Sequence, residues 1–134
     1  MERQPKTIQV KGKVFSGTGE GSKFVGLKWV KNQIEEKLGF TPFKGTLNLL
    51  LEENGSKIRE ALENAKPILI MPEPGYRRGK CFKVSIMGSM VGAIVIPEVE
   101  GYPKNVLEVI APVNLRERFG LKDGDTVEVS VFVE

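Results

Sequence analysis

At 134 residues, 40% hydrophobic and 28% charged, with a net charge of +3 and a pI near 9.0, the chain has the make-up of one globular domain spanning residues 1–134. The mild basicity suits a phosphate-bearing ligand but is too weak to argue a nucleic-acid surface, and no apolar run approaches the length of a bilayer span. With no histidine and one cysteine, Cys81, the composition excludes internal disulfides, a protein-built zinc site and imidazole acid–base chemistry, so carboxylates, lysine, a bound metal or positioning must do any catalysis.

The N-terminal MERQPKTIQV has no signal-peptide core, and a cytoplasmic protein is expected. TIQVKGKVF (7–15) alternates apolar and polar residues, which predicts a half-buried strand. The glycine-rich GTGEGSKF (17–24) follows as a loop. WVKNQIEEKLG (29–39) carries Trp29, Val30, Gln33, Ile34, Lys37 and Leu38 at helical spacing, with Gly39 as C-cap. FTPFKG reads as a turn, and TLNLLLEE (46–53) as a short strand ended by Asn54-Gly55. Ser56 is placed to cap a helix over SKIREALENA (56–65), with Ile58, Ala61, Leu62 and Ala65 on one face. ILIM (68–71) predicts a strand closed by PEPG. CFKVSIMG (81–88) and SMVGAIVIP (89–97) read as a hairpin turning near Gly88-Ser89. VLEVIAP (106–112) is a further strand. NLRERFG (114–120) predicts a short helix that starts at Asn114, with Glu117 completing a capping-box-like pair. DGD then turns into a last strand, TVEVSVFVE (126–134). Strands dominate, so the expected fold class is mainly β: a small, mainly antiparallel barrel with a few short helices at its ends.

Five places could carry chemistry. GTGEGSKF sits where phosphate-binding loops occur, yet it fits neither common template. A P-loop begun at Gly17 needs glycine at Ser22 and Ser or Thr at Phe24, and a dinucleotide fingerprint needs glycine at Ser22 or Phe24. Gly17, Gly19 and Gly21 at alternate positions could take positive φ and let successive N–H groups cradle an anion; the alternative is a mobile hairpin loop. Glu20 is awkward beside phosphate alone but could accept from a ribose hydroxyl or help hold a metal. In GTLNLLL, Thr46 and Asn48 share one strand face, about 7 Å apart, with Leu47, Leu49 and Leu51 on the other. Their neutral oxygens suit Mg²⁺ when substrate phosphates supply charge, and equally suit the solvent face of an ordinary strand. Glu108, between Val106 and Ile110 on one face, is either half-buried and fit to bind a polar group or accept a proton, or exposed on an edge strand. VNLRERFG offers a helix N-terminus that could meet an anion or a base edge, with Arg116 nearby. The basic turn YRRGKCFK reads as solvated, with contact to a phosphate tail as the other possibility, and Cys81 as a small core residue.

Taken together and in this order, GTGEGSKF, LGFTPFKGTLNL and VLEVIAPVNLRERFGLKDGDTVEV resemble the archaeal-type CTP-dependent riboflavin kinases, over residues 10–131. The resemblance implies a cradle-loop β-barrel that transfers the γ-phosphate of CTP to the ribityl 5′-hydroxyl of riboflavin, releasing FMN and CDP. It implies that Gly17, Thr18, Gly19, Glu20, Gly21 and Ser22 bind the nucleotide together with Val113, Asn114, Leu115 and Arg116. It also implies that Thr46 and Asn48 hold Mg²⁺, the cofactor, and that Glu108 binds the flavin. Where the family often has Thr-His before that glutamate, this chain has Glu100 and Gly101; Glu100 therefore stands at a flavin-contacting position, where its charge would repel a flavin phosphate. In a mechanism of this kind Glu108 is the residue to orient or deprotonate the hydroxyl, with Lys23 or Arg116 assisting. A monomer working without nucleic acid or membrane is expected. Two alternatives stay open: ATP as donor, since spacing does not tell cytosine from adenine, and a DNA-binding cradle-loop regulator, which LKDGDTVEVSV also suits.

Overall fold

The computed structural model describes residues 6–17, 20–52 and 55–133, and Glu20 by its backbone alone. Among these the strands are β1 (Thr7–Phe15), β2 (Leu47–Leu51), β3 (Ile68–Ile70), β4 (Gly79–Ile86), β5 (Met90–Pro97), β6 (Val106–Ile110) and β7 (Thr126–Phe132). The helices are α1 (Glu20–Val25), α2 (Lys28–Leu38), α3 (Gly55–Glu63) and α4 (Leu115–Phe119). All strand pairs are antiparallel, in the order β4-β5-β6-β2-β1-β7, and β7 returns to β4 through Val84↔Val131 and Ile86↔Val129. That pairing closes a six-stranded barrel, and closure removes the exposed edges that an open sheet would present. β4 is long enough to serve three neighbours: its first half also pairs with the short β3, Ile68↔Cys81, and its second half with β7.

The period of two in each strand sorts side chains between two cores. Val10 and Val14, Leu47, Leu49 and Leu51, Leu107 and Val109, and Val127, Val129 and Val131 fill the barrel interior. Residues of the opposite parity, including Ala93, Val95, Ile110 and Cys81, face outward and pack with Phe24, Val25, Val30, Ile34 and Leu38 of α1 and α2. The four-residue spacing of Val30, Ile34 and Leu38 gives α2 one apolar stripe for this second core. Gly39, at φ 82° and ψ 15°, ends the helix as expected, its N–H donating to Glu35 O at 3.2 Å.

Two expectations are corrected. From Glu20 onward the glycine-rich stretch is a short helix, not an open loop. Phe24 and Val25 are 8% and 2% exposed, and a helical turn lets both reach the outer face of the sheet, where each buried side chain is worth about 1.5–3 kcal/mol. The Phe24 ring also meets the Trp29 ring edge-on at 5.9 Å, which ties α1 to α2. In the β4–β5 hairpin the turn is centred on Met87 and Gly88, at φ 52° and 69°, one residue earlier than predicted. Positive φ at both central positions is the type I′ signature, and Ser89 N–H closes it on Ile86 O. Among the described residues no helix is long and apolar enough to cross a membrane.

Candidate functional site

Glu108 lies in the middle of β6, opposite Asn48 on β2 and Val95 on β5. Since Leu107 and Val109 point into the barrel, Glu108 points out of it, beneath α1. It is 2% exposed, which settles the choice between an edge position in water and burial. A buried carboxylate is costly unless hydrogen-bonded, and this one accepts three bonds from the described residues. Gly21 N–H donates to Oε1 at 3.1 Å, the Thr46 hydroxyl donates to the same oxygen at 2.7 Å, and the Tyr102 hydroxyl donates to Oε2 at 2.5 Å. Ser22 Oγ lies 3.2 Å from Thr46 Oγ1 and accepts the Thr46 N–H at 3.1 Å. One carboxylate therefore ties the glycine segment, the start of β2 and the turn before β6 into a single cluster.

The glycines are required here for closeness rather than for positive φ. A Cβ on Gly21 would fall 2.3 Å from Glu108 Oε1, and one on Gly17 would fall 2.5 Å from Asn48 Oδ1. Neither residue is in the left-handed region, contrary to the expectation from alternate glycines. Thr18 and Gly19 lie outside the described residues, as does the side chain of Glu20. Lys23 is exposed on α1.

Thr46 also forms one wall of a groove of about 210 Å³ whose other walls include Phe43, Val113, Asn114, Leu115 and Arg116. Backbone pairing fixes this wall, with Phe43 N–H donating to Ala111 O at 2.7 Å. Asn114 caps α4 as its sequence predicts, Oδ1 accepting the Glu117 N–H at 3.3 Å. Arg116 is held by Phe15 O at 3.3 Å and by Asp123 Oδ1 at 2.7 Å, and so lines the groove as half of an ion pair. The Arg116 hydrogen bond, then that from Ser16, holds the exposed Asp123 carboxyl below its ordinary range. The glycine segment, Thr46, Asn48, Glu108 and residues 113–116 are thus neighbours, although they come from three separate stretches of chain.

Tyr102 and Arg59 were not singled out from sequence. Tyr102 stands in the irregular connection between β5 and β6, where no periodicity aims a side chain. Arg59 lies with Gly55 and Leu62 on the buried face of α3, 8% exposed, whereas the apolar spacing points to Ile58, Ala61, Leu62 and Ala65. Its guanidinium stacks on the Tyr102 ring at 5.5 Å and donates to Val106 O at 3.1 Å. Burial lowers its pKa, with Tyr102 and Glu63 opposing that shift. Both residues line a second cavity of about 180 Å³ with Lys80, Phe82 and Ile96. Glu100 and Gly101 form an exposed turn before Tyr102, with Gly101 at φ 82°.

Among the described residues no three His, Cys, Asp or Glu side chains are grouped to hold a metal. The Thr46 and Asn48 oxygens beside one carboxylate are hard donors that fit Mg²⁺, provided that bound phosphates and water complete its shell.

A family model, CTP-dep_RFKase, described as a domain of unknown function, DUF120, matches residues 14–131. The chain is similar to the riboflavin kinase of Archaeoglobus fulgidus, 47% identical over 131 residues, which covers 95% of this chain and 56% of that protein. It is likewise similar to those of Ignicoccus hospitalis, at 42% identity over 95% of this chain and 73% of the relative, and of Saccharolobus solfataricus, at 37% over 95% and 75%. The chain spans little more than half the length of the Archaeoglobus protein.

Proposed function

The chain belongs to the archaeal riboflavin kinase family that the CTP-dep_RFKase model describes, and from that premise we propose that it transfers the γ-phosphoryl group of CTP to the ribityl 5′-hydroxyl of riboflavin, giving FMN and CDP. The observation that carries the reading is the meeting of Gly21, Thr46 and Tyr102 on the buried Glu108 carboxylate, beside the groove walled by Thr46 and residues 113–116.

Phosphoryl transfer asks a protein for in-line placement and charge neutralisation rather than covalent help, which suits a chain without histidine. In this reading residues 17–22 hold the nucleotide together with Val113, Asn114, Leu115 and Arg116, the last four lining the groove. Asn48 and Thr46 hold Mg²⁺, which when bound would offset charge on the phosphates. That neutralisation would be needed here, because Thr46 bonds the Glu108 carboxylate and phosphates bound beside Thr46 would meet its charge. A carboxylate offers about four acceptor positions, and among the described residues three donors occupy Glu108. Oε2 accepts from Tyr102 and has capacity to accept the ribityl hydroxyl, orient it, and take its proton as it attacks phosphorus. Glu100, at the outer turn, is assigned to the flavin side of the site, where its charge weakens the hold on a phosphorylated product. The work is cytoplasmic and needs no membrane or nucleic acid.

The test is to incubate the protein with riboflavin, Mg²⁺ and each nucleoside triphosphate in turn and to assay FMN. Product from CTP alone supports the reading; product with ATP moves the donor. No FMN with any donor, together with salt-sensitive retention on DNA, would replace the kinase with a regulator.

A further inference from the structure

We propose that Tyr102, clamped by Arg59, is a positioning residue that sets the plane of the Glu108 carboxylate. Its part in phosphoryl transfer rests on the kinase reading above. Gly21 and Thr46 both bond Oε1, so they grip the carboxylate at one oxygen. A group held at one oxygen can still swing its second oxygen about the side-chain bond; the Tyr102 hydroxyl on Oε2 supplies the other point and stops that rotation. The oxygen so fixed is the one left to meet an acceptor hydroxyl.

Tyr102 stands between β5 and β6, its N–H donating to Val99 O at 3.3 Å, and its aromatic ring offers a face for a further anchor. Arg59 provides one from α3. Its guanidinium covers the Tyr102 ring at 5.5 Å, and Nη1 donates to the carbonyls of Val106 at 3.1 Å and Pro103 at 3.4 Å. The clamp thus grips the tyrosine and the chain that leads from it into β6. Burying a guanidinium is costly, and Leu or Met at this position would pack against Leu62 without that cost. The described contacts of the charge instead converge on the tyrosine and its turn.

The test uses ¹⁵N-labelled protein alongside the FMN assay, because the Gly21 amide reports the far side of the carboxylate without any substrate. Tyr102→Phe keeps the ring and its stacking on Arg59. It should raise Gly21 amide exchange about tenfold and lower kcat for FMN formation about tenfold, with the KM for nucleotide held within about twofold. Arg59→Met should move both quantities in the same direction, and Arg59→Lys should restore part of the loss. A Gly21 amide that Tyr102→Phe leaves unchanged would overturn the inference. So would a moved amide with kcat intact in a protein that makes FMN. If the native protein makes no FMN from any donor while the amide still moves, the hold on the carboxylate stands and the kinase reading is what fails.

Discussion

Replacing Gly21 by alanine sets two effects of opposite sign against each other. Gly21 lies in α1, and in a helix alanine is favoured over glycine by about 1 kcal/mol, so local propensity predicts a stabler protein. Packing predicts the reverse. The new Cβ would stand 2.3 Å from Glu108 Oε1 and 2.4 Å from Oε2, whereas ordinary contact begins near 3.4 Å, so one group must retreat by about 1 Å. A carboxylate displaced that far loses its bonds from Gly21 N–H at 3.1 Å and from the Thr46 hydroxyl at 2.7 Å. Each hydrogen bond to a charged group is worth about 1.5–3 kcal/mol, so the net loss is at least about 2 kcal/mol even after the helix gain. For a chain of this size that corresponds to a fall in Tm of about 8 °C. FMN formation should fall about a hundredfold, because the carboxylate that meets the acceptor has moved. The assay is thermal denaturation followed by circular dichroism, with activity measured below the transition. Gly26→Ala is the control, since among the described residues its Cβ would meet only the Ser22 and Lys23 carbonyls, at 3.3 and 3.4 Å. A Gly21→Ala protein as stable as the parent, with activity retained, would refute the close-approach reasoning.

Three further outcomes follow from the same site and its surroundings. Asn48→Ala should raise the Mg²⁺ concentration needed for half-maximal activity about tenfold or more, and an unchanged Mg²⁺ titration would sink the metal assignment. Glu108→Gln should lower kcat at least about a hundredfold while far-ultraviolet circular dichroism stays native; full kcat across pH would remove the proton-acceptor role. Cys81 is fully buried, and burial pushes its thiol up to about 12, so a disulfide reagent at pH 8 should react with it only after unfolding. Rapid reaction in the native state would show that β3 opens away from β4.

Much of the frame was legible because strands and caps are written in local spacing. TIQVKGKVF alternates, and β1 spans those same residues; Asn114 and Glu117 sit three apart, and the cap bond between them is present. The glycine segment misled for a definite reason. Three glycines outweigh Phe24 and Val25 in any local reading, yet those two side chains find a core only when the sheet is assembled, and their burial makes the helix. Arg59 was not legible, since the apolar spacing of α3 marks Ile58, Ala61, Leu62 and Ala65 and nothing local shows that the arginine is buried. Tyr102 was not legible, since no period governs an irregular connection.

What the sequence determined by itself is which side chains share a face, because a period of two needs no partner: Thr46 and Asn48 together, and Glu108 opposite in sense to Leu107 and Val109. Only the closed barrel decided that β2 and β6 are neighbours, which sets Asn48 opposite Glu108. Only it brought to one carboxylate a glycine 87 positions away, a threonine 62 away and a tyrosine six away. Spacing acts over a few residues, whereas the Gly21 and Thr46 bonds join segments that only long-range pairing brings together.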